Sequence, residues 1–403
     1  MARIEFSAAR LRRPAAGRAA GFSLVEVLVA VVLGLVVVGG VVTVLVTSKT
    51  TYTTQDSLAR LQENARFALE FIARDLRMAS YFGCADNLAA VTTSLNNVAG
   101  AIWELKRDAA GRIITIDAFE YQAADGKWQP SGVTTKPGNM ATNTDAITVR
   151  YLDGGSPQPL QANMIDATSP VVVPTATFAV GDVLAVSNCM TTDVFMVTGS
   201  TSAAGVDSLV HAVGTGDLSN ASASFGLDDA TRKTGKRYEV ADGSTVTRLR
   251  GFRYFIGTAD KTCPGGADTG LPARRGLYRQ GLTDCMEIVS GIENMQILYG
   301  VKTDGDDDRA PNVYLRADAV GAANWANVVS IRIGLLAYTL ANTEYQQGGQ
   351  IETAADMIGS GTIAGESQYL VSGTLLTLAG GPLENRRVQR RVFHETVYLR
   401  NNR

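Results

Sequence analysis

The sequence predicts an α+β fold: a long N-terminal α-helix, half membrane-spanning and half amphipathic, packed on a large antiparallel β-rich head. Three observations predict it. A 25-residue apolar run, Phe22–Val46, contains one ionisable side chain, Glu26. After a short polar joint, apolar residues recur every three or four positions, the spacing of one helix face. From about Cys84 onward glycine, threonine, valine and asparagine dominate, and short β-type runs alternate with turn residues.

The apolar run sets the topology. As a helix it would span roughly 37 Å, more than the ~30 Å hydrocarbon core of a bilayer. Before it stand Arg3, Arg10, Arg12, Arg13 and Arg18 against a single acid, Glu5. Positive charge stays on the cytoplasmic side, so residues after Val46 are expected outside. A cleaved secretory signal has an apolar core of about 7–15 residues with its small-residue cleavage site on the far side. Here the run is longer, and the small residues of "AAGRAAG" precede it. The net charge of −2 gives no reason to expect a nucleic-acid partner.

The joint "TSKTTYTTQ" is rich in weak helix formers, and a bend or melted turn is expected there. Beyond it Leu58, Leu61, Ala65, Leu69, Ile72 and Leu76 form the apolar face, with Arg60, Glu63, Arg66, Glu70, Arg74 and Arg77 opposite. Asp56 is expected to cap this half or to sit in its first turn, and Gly83 to stop it. In the head the clearest strand candidates include "DAITVRYLDGG", "GDVLAVSNCMTTDVFMVTGS", "VTRLRGFRYFIG", "NVVSIRIGLLAYTL" and "RRVFHETVYLRN". Two sub-sheets are expected, with a helical turn within "MEIVSGIENMQ" and long connections at 197–224 and 341–381. The organisation is therefore a basic leader at 1–21, a spanning helix at 22–46, an amphipathic half at 47–83 and a head at 84–403.

All four cysteines, Cys84, Cys189, Cys263 and Cys285, follow the membrane segment, and none form a C-x-x-C pair. An even count in an exported domain reads as two disulfides. Sequence permits three pairings; proximity favours Cys263–Cys285, which leaves Cys84–Cys189. A short loop such as the first contributes about 3 kcal/mol in the chain-entropy picture.

A basic, small-residue leader ending in glycine, then "FSLVE" opening a long apolar helix, resembles the class III signal of type IV pilins and type II secretion pseudopilins. The resemblance implies that a prepilin peptidase cuts between Gly21 and Phe22 and methylates the new amino group of Phe22. It implies that the apolar helix is kept as a filament core. Glu26, fifth in the mature chain, would neutralise the amine of a neighbouring subunit. A carboxylate at membrane depth costs about 2.5–3.5 kcal/mol, so such a partner explains why it is there. "LQENARFALEFIARDLRMASYFGC", "SGIENMQILYGVKTDGDDD", "WANVVSIRIGLLAYT" and "RRVFHETVYLRNNR" resemble the PilW group of minor pilins, as does "VSNCMTTDVFMVT". The rest of 90–240 resembles no named family. The family reading implies an inner-membrane protein with a periplasmic head that ends at the pilus tip. Its partners would be other minor pilins, the major pilin, the prepilin peptidase, the assembly platform and a tip adhesin. Its roles would be pilus assembly, adhesion or twitching motility. A type II secretion pseudopilin shares the same signal, and a signal-anchored periplasmic enzyme is the alternative of a different class.

Other motifs weigh less. Asp304, Asp306 and Asp308 alternate in "TDGDDD", an arrangement that could offer oxygen ligands to calcium, the one cofactor the sequence raises. The loop departs from the EF-hand pattern, with Arg309 and Leu315 where a glycine and a closing glutamate belong. Its simpler reading is a solvated acidic hairpin turn. Arg386, Arg387, Arg390 and Arg391 read as the exposed face of an edge strand. Two histidines, His211 and His394, and no nucleophile elbow, zinc motif or phosphate loop give no basis for catalysis.

Overall fold

The computed structural model describes residues 21, 23–85, 88–96, 98, 101–108, 111–122, 127–129, 140, 141, 143–155, 157–226, 237–258, 275–282, 284–306, 308, 310–339, 368–372, 374–377 and 389–400. The chain forms two compact units, Met1–Gln55 and Asp56–Arg403.

Helix α1 is assigned over Leu24–Met78. The threonine-rich joint is helical, against the expected bend. Thr50 and Thr51 donate their hydroxyls to the carbonyls four residues back, and Thr53 to the one three back, each at 2.9 Å. These side chains satisfy themselves on their own helix, which offsets their weak propensity. Asp56 is accordingly no cap; it lies inside α1 and pairs with Arg60 at 2.9 Å. The helix stops at Met78, before Gly83, and the chain turns through Ser80 at φ 64°.

The head is antiparallel β-structure with one parallel pair among the described residues. In chain order its strands are β1 (Val91–Thr93), β2 (Ile116–Gln122), β3 (Lys127–Gln129), β4 (Ala146–Leu152), β5 (Gln158–Pro159), β6 (Val171–Pro174), β7 (Val183–Ser187) and β8 (Thr192–Met196). There follow β9 (Gly199–Ala203), β10 (Val206–Val210), β11 (Thr245–Thr258), β12 (Arg275–Gln280), β13 (Cys285–Ser290), β14 (Ile292–Val301) and β15 (Val313–Leu315). A short helix α2 (Ala317–Val320) precedes β16 (Val328–Tyr338), β17 (Gln368–Val371), β18 (Thr374–Thr377) and β19 (Arg390–Tyr398).

These strands make four sheets among the described residues rather than two. The largest runs β1-β8-β7-β11-β4-β2-β3, with β5, β12 and β13 attached through β11 and β12. A second has the order β15-β14-β16-β19; a third, β6-β10-β9; and β17 and β18 form a hairpin. Strand β11 organises the large sheet: it is long enough to pair with β4 on one side and with β7 and then β12 on the other. Two expectations fail here. The segment 197–224 holds β9 and β10, and "MEIVSGIENMQ" is two strands joined at Gly291 rather than a helical turn. Gly291 takes φ 85°, a left-handed conformation open to glycine, and this lets the chain leave β13 for β14 without a loop.

The head-side half of α1 buries Leu61, Ala65, Ala68, Leu69, Ile72, Ala73 and Leu76 in one core with Ile147 and Val149 of β4, Tyr254 and Ile256 of β11, and residues of β14 and β16. Leu58, expected on this face, is only half-buried. Asp75 lies on it, 5% exposed. Its carboxylate accepts hydrogen bonds from Tyr151 Oη at 2.9 Å and Tyr254 Oη at 2.5 Å, with Arg279 at 4.0 Å. At the margins Asn64 donates to the Ser290 carbonyl at 3.3 Å, and Arg77 pairs with Glu395 of β19 at 3.3 Å. Burial and the neighbouring Asp75 charge push the Tyr151 and Tyr254 hydroxyls well above the ordinary tyrosine range, so both remain donors at neutral pH.

Asp75→Ala leaves one buried hydroxyl, Tyr254, and one half-buried hydroxyl, Tyr151, without their acceptor. It is expected to lower head stability by about 2–4 kcal/mol, while Glu70→Ala on the exposed face changes it by less than about 0.5 kcal/mol. Denaturant unfolding of the full chain in detergent measures both.

Candidate functional site: the opening helix and the anchored head

In the first unit Gly21 and Ser23 flank Phe22, which lies outside the described residues. The Ser23 carbonyl accepts the amides of Glu26 at 3.0 Å and Val27 at 3.1 Å, so the helix begins two residues after the expected cut. Glu26 sits in the first helical turn, where the macrodipole favours a negative charge. Every residue from Leu24 to Val46 is exposed, and the most apolar 18-residue window of α1 has a mean hydropathy of 3.0. An uncovered surface of this kind needs lipid or other helices around it. Such a helix is long and apolar enough to cross a membrane.

In the head, Cys84 and Cys189 form a disulfide with Cα atoms 4.8 Å apart. It ties the chain just after α1 to the turn between β7 and β8, where Cys189 takes φ 67°. Strand β7 is buried along its whole length, so this turn is carried on a fixed element. Cys285, at the start of β13, is disulfide-bonded; Cys263 lies outside the described residues.

Asp304, Asp306 and Asp308 are brought together, but around a cation the chain supplies itself. Lys302 Nζ lies 3.2 Å from Asp304 Oδ1 and 3.5 Å from Asp308 Oδ1, and it also pairs with Asp306. The hydrogen bond to Asp306 holds the lysine above its ordinary value. Asn312 donates to Asp304 and helps hold that carboxyl below the usual range. The loop closes the hairpin between β14 and β15. Among the described residues no group of three or more His, Cys, Asp or Glu side chains is placed to hold a metal ion.

The basic stretch is a correction in part. Strand β19 is an edge strand, yet Arg390 is not on an exposed face: its side chain is 8% exposed and its Nε lies 2.6 Å from Glu293 Oε2. Arg386 and Arg387 lie outside the described residues. His211 is a core residue, stacked on Phe225 with centroids 4.2 Å apart and bonded through Nε2 to the Ser169 carbonyl at 3.0 Å. Burial holds it below the ordinary imidazole range.

Two buried charge groups escaped the sequence reading. Arg150, fully buried, donates to the carbonyls of Ile102 at 2.5 Å and Ala101 at 3.0 Å and reaches Asp117 at 3.3 Å. Burial pushes the Asp117 carboxyl up, but Arg150 and Lys106 outweigh it and hold the acid below its usual range. Asp75 did leave a signal: Leu61, Ala65, Ala68, Ile72 and Asp75 advance by alternating steps of four and three, which puts a carboxylate on the apolar face.

Replacing Cys84 and Cys189 with serine opens a loop of sequence separation 105. The expected loss is about 4–5 kcal/mol in the chain-entropy picture, read as a lower unfolding midpoint in non-reducing conditions. Calcium at about 1 mM is expected to leave that midpoint unchanged while Lys302 holds the aspartates; a rise would mean that they release it for the metal.

Residues 17–42 match the prokaryotic N-terminal methylation motif, and residues 253–401 match the family described as type IV pilus-assembly protein W, PilW. No curated protein and no solved structure matches the chain. The second match takes in β14, β15, β16 and β19, the whole four-stranded sheet. A methylation-motif helix and a PilW-like region in one chain make this protein similar to type IV pilus proteins of the pilin class, with the PilW likeness confined to residues 253–401.

Proposed function

We propose that the protein is a minor pilin that joins other minor pilins to start type IV pilus assembly and stays at the tip. The observation that carries this reading is the apolar segment Leu24–Val46, uncovered along its length and holding a lone carboxylate at Glu26, in a chain most of which is a large β-rich head. Its work is association. Helix burial supplies affinity, and Glu26 with the Phe22 amine of a neighbour supplies register, because an unpaired carboxylate in hydrocarbon is costly. A head of this size would be bulky to stack along a filament, which favours the tip over the shaft. The partners are other minor pilins, the major pilin, the prepilin peptidase, the inner-membrane assembly platform and a tip adhesin. Adhesion and twitching motility follow from that position, and Cys263 pairs with Cys285.

A type II secretion pseudopilin would use the same processing and helix. It is the second reading, because the methylation motif is common to both machines. A signal-anchored enzyme is disfavoured by the Gly21-Phe22-x-x-x-Glu26 spacing, which it leaves without a purpose.

The test compares wild type with Glu26→Gln in cells that make pili. The wild-type protein is expected in sheared pili at low copy number. The variant should be processed normally, yet its recovery in pili should fall by about tenfold or more. Equal recovery would remove Glu26 from assembly. Normal pili with failed protein secretion in a deletion strain would favour the pseudopilin reading instead.

A further inference from the structure

The large sheet meets the four-stranded sheet along a seam made of polar groups. Just before β4, the Asn143 carbonyl accepts the side-chain amides of Asn294 at 2.8 Å and Gln296 at 3.1 Å. The Asp145 amide donates to the Met295 carbonyl at 2.8 Å, and Asp145 Oδ2 accepts the Ile297 amide at 2.8 Å. Asp145 is 5% exposed. A second buried acid, Glu120 of β2, is 1% exposed. It pairs with Arg316, just before α2, and Asp318 within that helix lies 3.8 Å from the same guanidinium. Tyr299 of β14 is buried close to these acids and packs edge-on against Trp325, ring centroids 5.0 Å apart.

The charges do not balance. Glu120, Asp145 and Asp318 face a single guanidinium, Arg316, whose side chain is 47% exposed. Apart from the ion pair with Arg316, both Glu120 carboxyl oxygens are buried without a hydrogen-bond partner, and the antiparallel register that sets Phe119 opposite Ala146 makes Asp145 its next cross-strand neighbour. Two buried carboxylates so placed repel when both are ionised. The nearest other charges on β2 belong to Asp117, which already faces Lys106 at 3.0 Å and Arg150 at 3.3 Å. Among the described residues Glu120 forms its ion pair with Arg316, and no lysine or arginine lies within ion-pair distance of Asp145.

We infer that Glu120, Asp145, Asp318 and Arg316 form a proton-sensitive latch, which holds β2 and β4 of the large sheet against β14 and α2 and loosens when its buried carboxyls ionise.

Burial pushes Glu120 up to about 7 despite Arg316, and burial and the Glu120 charge push Asp145 up as well. An acid raised in the folded state binds its proton more tightly there than in the unfolded chain. Its contribution is full below the ordinary glutamate value of 4.5 and is lost as pH rises through about 7. His211 and His394 act in the opposite sense: burial, with Arg332 beside His394, holds both below 6.5, so acid works against the fold through them. Asp117 and Asp153, held low, lose their contributions only in stronger acid. The latch is therefore read as a difference between wild type and variants, in which these other groups cancel.

The experiment uses the full chain in detergent micelles at about pH 5.5 and about pH 8. Peptides covering Ile297 are followed by hydrogen exchange, corrected for the intrinsic rate. In wild type their exchange should accelerate by about tenfold or more at the higher pH. In Glu120→Gln and in Asp145→Asn it should stay the same at both pH values. The unfolding midpoint of Glu120→Gln should match wild type at the lower pH and exceed it at the higher. Wild-type protection at Ile297 that does not change with pH would overturn the latch, and so would pH profiles that run parallel in wild type and a folded variant. The wild-type exchange alone decides if neither variant folds.

Discussion

The carboxylate of Asp75 fixes how the head is built. A helix laid on a sheet by apolar contact alone can slide by a turn at small cost, because dispersion and burial carry little direction. Two tyrosine hydroxyls from adjacent strands, β4 and β11, converge on one buried acid, and they accept only one register for the helix. The alanines at 65, 68 and 73 then let the helix backbone lie close to the strands, with Arg77 and Asn64 tying its margins. Strands β14, β16 and β19 close over the same core.

The two units of the chain solve opposite problems. Asp56–Arg403 buries its apolar side chains and pairs its buried charges, as Arg150 with Asp117 and Arg390 with Glu293. In Met1–Gln55 the described apolar residues stay uncovered, and lipid or neighbouring helices must complete the solvation. An uncovered apolar helix on a well-packed head agrees with the likeness of residues 253–401 to type IV pilus-assembly proteins.

Much of this was legible in the sequence, for identifiable reasons. The apolar run and the stripe from Leu61 to Leu76 carry their periodicity locally, and the Gly21-Phe22-x-x-x-Glu26 spacing is compact. What was missed depends on contacts between distant segments. Strand β9, "GSTSA", has no apolar alternation and is a strand because β10 pairs with it, and β10 in turn pairs with β6. The bend expected at Thr47–Gln55 fails because threonine propensity ignores the hydroxyl's bond to the preceding turn. The aspartates of "TDGDDD" looked like ligands because the sequence does not say that Lys302 lies within reach of all three. Glu120 and Asp145 lie 25 positions apart, and nothing in either neighbourhood announces that they share one buried seam.

The central claim, a pilin-class chain processed for assembly, is tested most directly by intact mass and N-terminal peptide mapping after expression with a prepilin peptidase. The account predicts a mature chain that begins at N-methylated Phe22 and retains the whole apolar helix. A chain that keeps Met1–Gly21, while the same peptidase cuts a control pilin, would contradict it and leave Glu26 as an acid on a simple membrane anchor.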